Sequence, residues 1–187
     1  MVMPVLETER VMSVEEFDAW VLLPENIGRD YEYVGGRVIE VVSNNRSSGI
    51  GHLLGSLIGV YVFQHKLGFT TGADGGYWIV GERYVPDAAF VSVSRQFKRT
   101  DDAYYPIAPD LAIEVLSPSN TAEEIRIKVV NYLTAGTTAW VVDTHRERIE
   151  VYTPGKPVRI LKRGETLDGG AVLPGFTVAV NDVFGEK

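Results

Sequence analysis

The chain has 187 residues, no cysteine and a formal net charge of −7. That length buries enough surface to fold without a covalent staple, and the missing cysteine excludes disulfides and thiolate metal sites. The acidic balance excludes avid nucleic-acid binding through bulk charge, although a local basic groove remains compatible with it.

One domain spanning residues 1–187 is the expectation for this length. The N-terminus has no apolar signal core, so the expected location is the cytoplasm. The most apolar long window, GIGHLLGSLIGVYVFQHKLGF, holds two histidines, a glutamine and a lysine, which is too polar for a membrane span.

In chain order, SVEEFDAW reads as a short helix capped by Ser13, with Glu16 three residues on and Phe17 and Trp20 on one face. DYEYVGGRVIEVV reads as a β-hairpin around Gly35-Gly36. Residues 47–67 carry a long helical stripe of Ile50, Leu53, Leu54, Leu57, Ile58 and Tyr61. Gly51, Gly55 and Gly59 give that helix a second, smooth face with His52 at its edge. Strand-like runs follow at 69–72, 76–80, 83–91 and 110–116, with a long polar loop expected over 94–108. NTAEEIRIKVVNYLTAG is a helix that Asn120 or Thr121 can cap and Gly136 stops. TTAWVVD and RIEVYT are strands around a turn, and shorter strands finish the chain. The pattern gives an α/β domain with a mixed sheet.

Two acids interrupt apolar strand-like runs: Asp87 in YVPDAAFV and Glu114 in APDLAIEVLSPSN. A carboxylate on a half-buried strand is costly unless paired, protonated or bound to a cation. Alternation puts Ala112, Glu114 and Leu116 on one face, leaving room beside the acid. Pro86 implies an edge or a bulge that frees Asp87 to turn toward Glu114. On spacing alone the plainer alternative stands beside this: a turn aspartate and an ion-paired strand glutamate. Lys128 has the same two readings, a lysine reaching back toward the strand end or an i,i+4 partner of Glu124. SRQFKRTDDAYY interleaves Arg95, Lys98 and Arg99 with aromatic residues, a pattern that can track a phosphate backbone and equally describes a solvated loop. No P-loop, dinucleotide fingerprint or nucleophile elbow is present.

The ordered set YEYVGGRVIEV, GHLLGSLIG, VPDAAFV, APDLAIEVLSPSN and KVVNYLTAGTTAWVVD resembles the Uma-two family of bacterial endonucleases, within the PD-(D/E)XK superfamily, over roughly residues 12–183. The resemblance implies a restriction-endonuclease-like fold, with a mixed central β-sheet flanked by helices, an N-terminal helix and extra C-terminal strands. It further implies Asp87 and Glu114 as ligands of Mg²⁺ or Mn²⁺, Lys128 as the catalytic lysine, and Glu32 and His52 as supporting residues. The superfamily's usual lysine position, two residues after the glutamate, is Leu116 here, so Lys128 must replace it from the following helix. The implied activity is metal-dependent hydrolysis of DNA phosphodiester bonds. The alternatives are a nuclease-fold binding protein without cleavage and a hydrolase of another phosphoester. The glycine face needs a cover, either the domain's own sheet or a second copy, and because duplex cleavage suits two-fold symmetry a homodimer is expected.

Overall fold

The computed structural model describes residues 10–95, 100–118 and 120–185. In chain order the elements are β1 (Arg10–Val11), α1 (Val14–Trp20), β2 (Tyr31–Val34), β3 (Arg37–Glu40), α2 (Asn45–His65), β4 (Gly68–Thr71), β5 (Gly76–Ile79), β6 (Glu82–Tyr84), β7 (Ala88–Ser92), β8 (Tyr104–Tyr105), β9 (Leu111–Val115), α3 (Ala122–Thr134), β10 (Thr138–Asp143), β11 (Arg148–Tyr152), β12 (Arg159–Lys162), β13 (Thr166–Asp168), β14 (Thr177–Ala179) and α4 (Val180–Phe184).

Local chemistry accounts for most of these boundaries. Ser13 and Glu16 close a reciprocal capping box on α1. Gly35 and Gly36 carry φ of 58° and 82°, the positive pair that lets β2 turn tightly into β3. Helix α3 starts at Thr121, whose side chain accepts from the Glu124 N–H while Glu124 reaches back to the Thr121 N–H. Asn120 instead accepts from Ser117 in the preceding turn.

The strands form two mixed six-stranded sheets, where the sequence pattern suggests a single one. The first runs β1-β3-β2-β6-β5-β8 and the second β12-β11-β10-β9-β7-β4, with β13 and β14 as a separate pair. Among the described residues parallel pairing is confined to β5 with β8 and to β9 with β10. Residues 94–108, expected as loop, contribute β8 to the first sheet. The run 83–91 is not one bulged strand. It ends as β6 in the first sheet and resumes as β7 in the second, with Val85, Pro86 and Asp87 crossing between them. Proline has no N–H to give a ladder, so the ladder stops there.

Two large cores follow from this split. Ile50, Leu54, Ile58 and Val62 of α2 join Phe90, Leu111, Ile113 and Trp140 on one face of the second sheet, together with residues of β13, β14 and α4. On the opposite face Ala89, Ala112, Ala139 and Tyr132 meet Tyr77, Ile79 and Tyr84 of the first sheet. Leu57, counted on the buried stripe of α2 from the sequence, is 38% exposed. The helix is rotated toward its glycine face: Cβ atoms placed at Gly51, Gly55 and Gly59 would lie 3.0–3.3 Å from Asp87, Ala88 and Thr70. The domain's own sheet therefore covers the glycine face, and the face itself supplies no reason for a second copy. Among the described residues no helix is long and apolar enough to cross a membrane.

Candidate active site

The crossing between sheets is what places the acids. β7 pairs antiparallel with β9, Ala88 opposite Ile113, and one further step in that register brings Asp87 opposite Glu114. The Asp87 Oδ2 accepts the Val115 N–H at 2.7 Å, tying the crossing to the end of β9. Gly51 of α2 backs the same aspartate, since a Cβ there would lie 3.0 Å from the Asp87 Cβ. Glu32, on β2 of the first sheet, accepts the Val85 N–H at 2.7 Å. Pro86 thus stands between an acid that follows it in the chain, Asp87, and a residue bonded to another acid, Val85 to Glu32.

Lys128 joins the two sheets. Its Nζ donates to Glu114 Oε2 at 2.7 Å and to Glu32 Oε1 at 2.8 Å. Glu124, the alternative partner, is occupied in the capping box. Tyr132, four residues on and on the same face of α3, donates its hydroxyl to Glu114 Oε1 at 2.6 Å. The Lys128 ammonium lies 5.4 Å from the centroid of the Tyr84 ring, within cation–π range, and Asn131 donates to the Tyr84 hydroxyl. Tyr132, Tyr84 and Asn131 were not identified from the sequence. The only signal available was the i,i+4 spacing of Lys128 and Tyr132 on one amphipathic helix.

The charges do not balance within this group. Three carboxylates (Glu32, Asp87, Glu114) share one ammonium, and Glu32, Glu114 and Lys128 are all buried. Burial raises Glu114 to about 7, with Glu32 and Asp87 adding to the rise and Lys128 opposing it. Burial also raises Asp87, against the pull of the Val115 N–H and Lys128. Burial alone would lower Lys128, but Glu114 and Glu32 outweigh it and hold the ammonium above the ordinary lysine value. Excess negative charge on hard oxygen donors suits a divalent cation. Among the described residues no three His, Asp or Glu side chains form a cation cage. Mg²⁺ does not require one, because it is commonly held by one or two carboxylates with water and phosphate completing its shell. Both Glu114 oxygens accept a hydrogen bond and each retains a further lone pair. Asp87 and Glu114 therefore fit such an ion.

The remaining sequence candidates lie apart. His52 is exposed on α2 beside Gly51. The Arg95 guanidinium is taken up by Asp110 at 3.0 Å and by the Ala108 and Gly136 carbonyls, so it ties the segment after β7 to both ends of the β9–α3 unit. Lys98 and Arg99 lie outside the described residues. A groove of about 800 Å³ runs on the other side of α3, between Ile125, Val129 and Leu133 of the helix and Val141, Arg148 and Glu150 of the sheet. It contains none of the three carboxylates.

Two comparisons with known proteins bear on this mixed α/β fold and the glutamates and lysine gathered between its sheets. The sequence profile of a family described as "Putative restriction endonuclease" matches residues 14–181. The chain belongs to this family, Uma-two. In fold it is similar to a protein of Anabaena variabilis, described as a "putative nuclease belonging to DUF820", with a TM-score of 0.80 and 21% identity over 92% of this chain and 97% of that one. No curated protein matches the sequence.

Proposed function

We propose that the chain is a Mg²⁺- or Mn²⁺-dependent endonuclease, one nuclease domain that hydrolyses DNA phosphodiester bonds in the cytoplasm. The observation that supports this reading is the Lys128–Glu114 hydrogen bond, with Asp87 tied to the same strand end through the Val115 N–H. Asp87 and Glu114 would hold the metal. When bound, it supplies Lewis-acid polarisation of the phosphate and acidifies water. Lys128 has three donors, two of them engaged by Glu114 and Glu32. The third is available to orient the attacking water or to stabilise charge developing on the phosphate oxygens. Glu32 holds the lysine in place and keeps it charged. His52, exposed on α2 next to Gly51, would act as a supporting residue only from the rim. Lys98 and Arg99 would meet the phosphate backbone, whereas the Arg95 guanidinium is already engaged by Asp110. Cutting both strands suits a homodimer.

The locked state of Lys128 favours a second reading, a nuclease-fold protein that binds nucleic acid without cleaving it. Supercoiled plasmid, single-stranded DNA and RNA incubated with the purified chain and Mg²⁺ or Mn²⁺ separate the two. Nicking that needs the cation and disappears in Asp87→Asn supports the endonuclease. Intact polynucleotide together with saturable binding supports the second reading. Turnover confined to small phosphoesters makes the chain a hydrolase of another class.

A further inference from the structure

The hydroxyl of Tyr132 points to a role that none of the sequence candidates fills. The ring is fully buried, packed edge-on against Tyr84 with centroids 5.5 Å apart. It belongs to the same core cluster as Ala112 and Ala139, which are register partners on β9 and β10. Two small residues side by side on the sheet leave room for a large ring above them. A buried tyrosine needs a partner for its hydroxyl, and a backbone carbonyl would satisfy it. Here the partner is the Glu114 carboxylate, at 2.6 Å.

A glutamate terminus rotates broadly about its last torsion, so one hydrogen bond would leave the carboxylate plane loosely set. With Lys128 on Oε2 and Tyr132 on Oε1, both oxygens are held from one helix. We propose that Tyr132 is a positioning residue that orients Glu114 toward a divalent cation. The inference rests on the reading of Asp87 and Glu114 as the cation's ligands. Partners that orient a ligand in this way are typically worth about 10–100-fold in metal affinity.

The test is calorimetric titration of Mn²⁺ into the full chain, comparing wild type with Tyr132→Phe, Glu114→Gln and Asn131→Ala. Tyr132→Phe keeps the ring and removes the donor, and it is expected to weaken Mn²⁺ binding by about 10–100-fold while thermal unfolding stays cooperative. Asn131→Ala removes the donor to Tyr84 alone and is expected to bind as wild type does, which separates orientation from packing. Wild-type affinity in Tyr132→Phe, with binding lost in Glu114→Gln, overturns the proposal and leaves the ligand assignment standing. Wild type that binds no Mn²⁺ overturns both. A second measurement keeps the native ring should the phenylalanine variant unfold. With 3-fluorotyrosine at position 132, the fluorine resonance is expected to shift when Mg²⁺ binds, and an unshifted resonance at saturation overturns the proposal.

Discussion

Glu114 and Asp143 sit at the ends of neighbouring parallel strands, β9 and β10, and are almost equally buried at 6% and 4% exposure. Their surroundings push them in opposite directions. At Asp143 burial favours the neutral acid, but the Arg146 N–H and the Arg146 and Arg148 side chains outweigh it and hold the carboxyl below its ordinary range. Its Oδ1 also accepts the His145 N–H, so its own turn supplies a full set of donors. At Glu114 burial wins, because Lys128 is shared with Glu32 and a third acid stands nearby. Asp143 is an acid satisfied by local structure, whereas Glu114 is left short of positive charge that a cation can supply. The contrast separates an acid satisfied by its own turn from one whose environment lacks positive charge.

The largest expected break comes at the metal pair. Asp87→Asn or Glu114→Gln should lower cation-dependent plasmid cleavage by about 10³-fold or more, the equivalent of several kcal/mol of lost charge stabilisation. Asp143→Asn, once folded, should leave the rate within a small factor of wild type. Equal losses at the two positions would erase the distinction.

Lys128→Met should lower cleavage by about 10²–10³-fold. It should also destabilise the fold at pH 8, by about 3–5 kcal/mol, because Glu32 and Glu114 would remain buried without a countercharge. At pH 5, with Glu114 protonated, the penalty should shrink. Urea melts at both pH values, with no added metal, check this.

The two acids should also give pH profiles of opposite sign. Folded Glu114 binds its proton more tightly than the unfolded chain does. Its contribution is therefore full below 4.5 and is lost as pH rises to about 7. Asp143 is lowered from 3.8, so its contribution is present above that value and lost as pH falls through the folded value. Melting curves from pH 4 to 8 should consequently flatten between 4.5 and about 7 in Glu114→Gln. Asp143→Asn should instead lose about 1–3 kcal/mol at neutral pH. Saturating Mg²⁺ should restore the stability wild type loses toward pH 7, and no recovery would count against a cation between Asp87 and Glu114.

The smallest effect is expected at Glu124, where Glu124→Gln still accepts the Thr121 N–H in the capping box. Stability should move by no more than about 0.5 kcal/mol and cleavage not at all. A large loss of activity would mean that Lys128 is steered by Glu124 after all.

Part of this candidate site is legible in the sequence. Asp87 and Glu114 stood out because each broke an apolar alternation, and the caps and hairpin were marked by Ser13, Thr121 and Gly35-Gly36. Pro86 announced an interruption, but a period-two pattern carries no label for the sheet a strand joins. The split of 83–91 into β6 and β7 was therefore hidden. Nothing local in the sequence beyond its spacing from Lys128 marks Tyr132, because its partner Glu114 lies on another element. Leu57 was misplaced because hydrophobicity alone pointed α2 toward its leucines, whereas close approach to the sheet favoured the glycines.

Sequence by itself determined most of the elements and several of their ends, since capping, turn conformation and side-chain alternation act within a few residues. It also determined which acids would be uncomfortable where they stand. Only the tertiary structure decided that Glu32 faces Lys128 across 96 residues of chain and that Glu32 takes the Val85 N–H across 53. Those contacts come from two sheets closing on one buried space, and the charge imbalance there exists only once the space is closed.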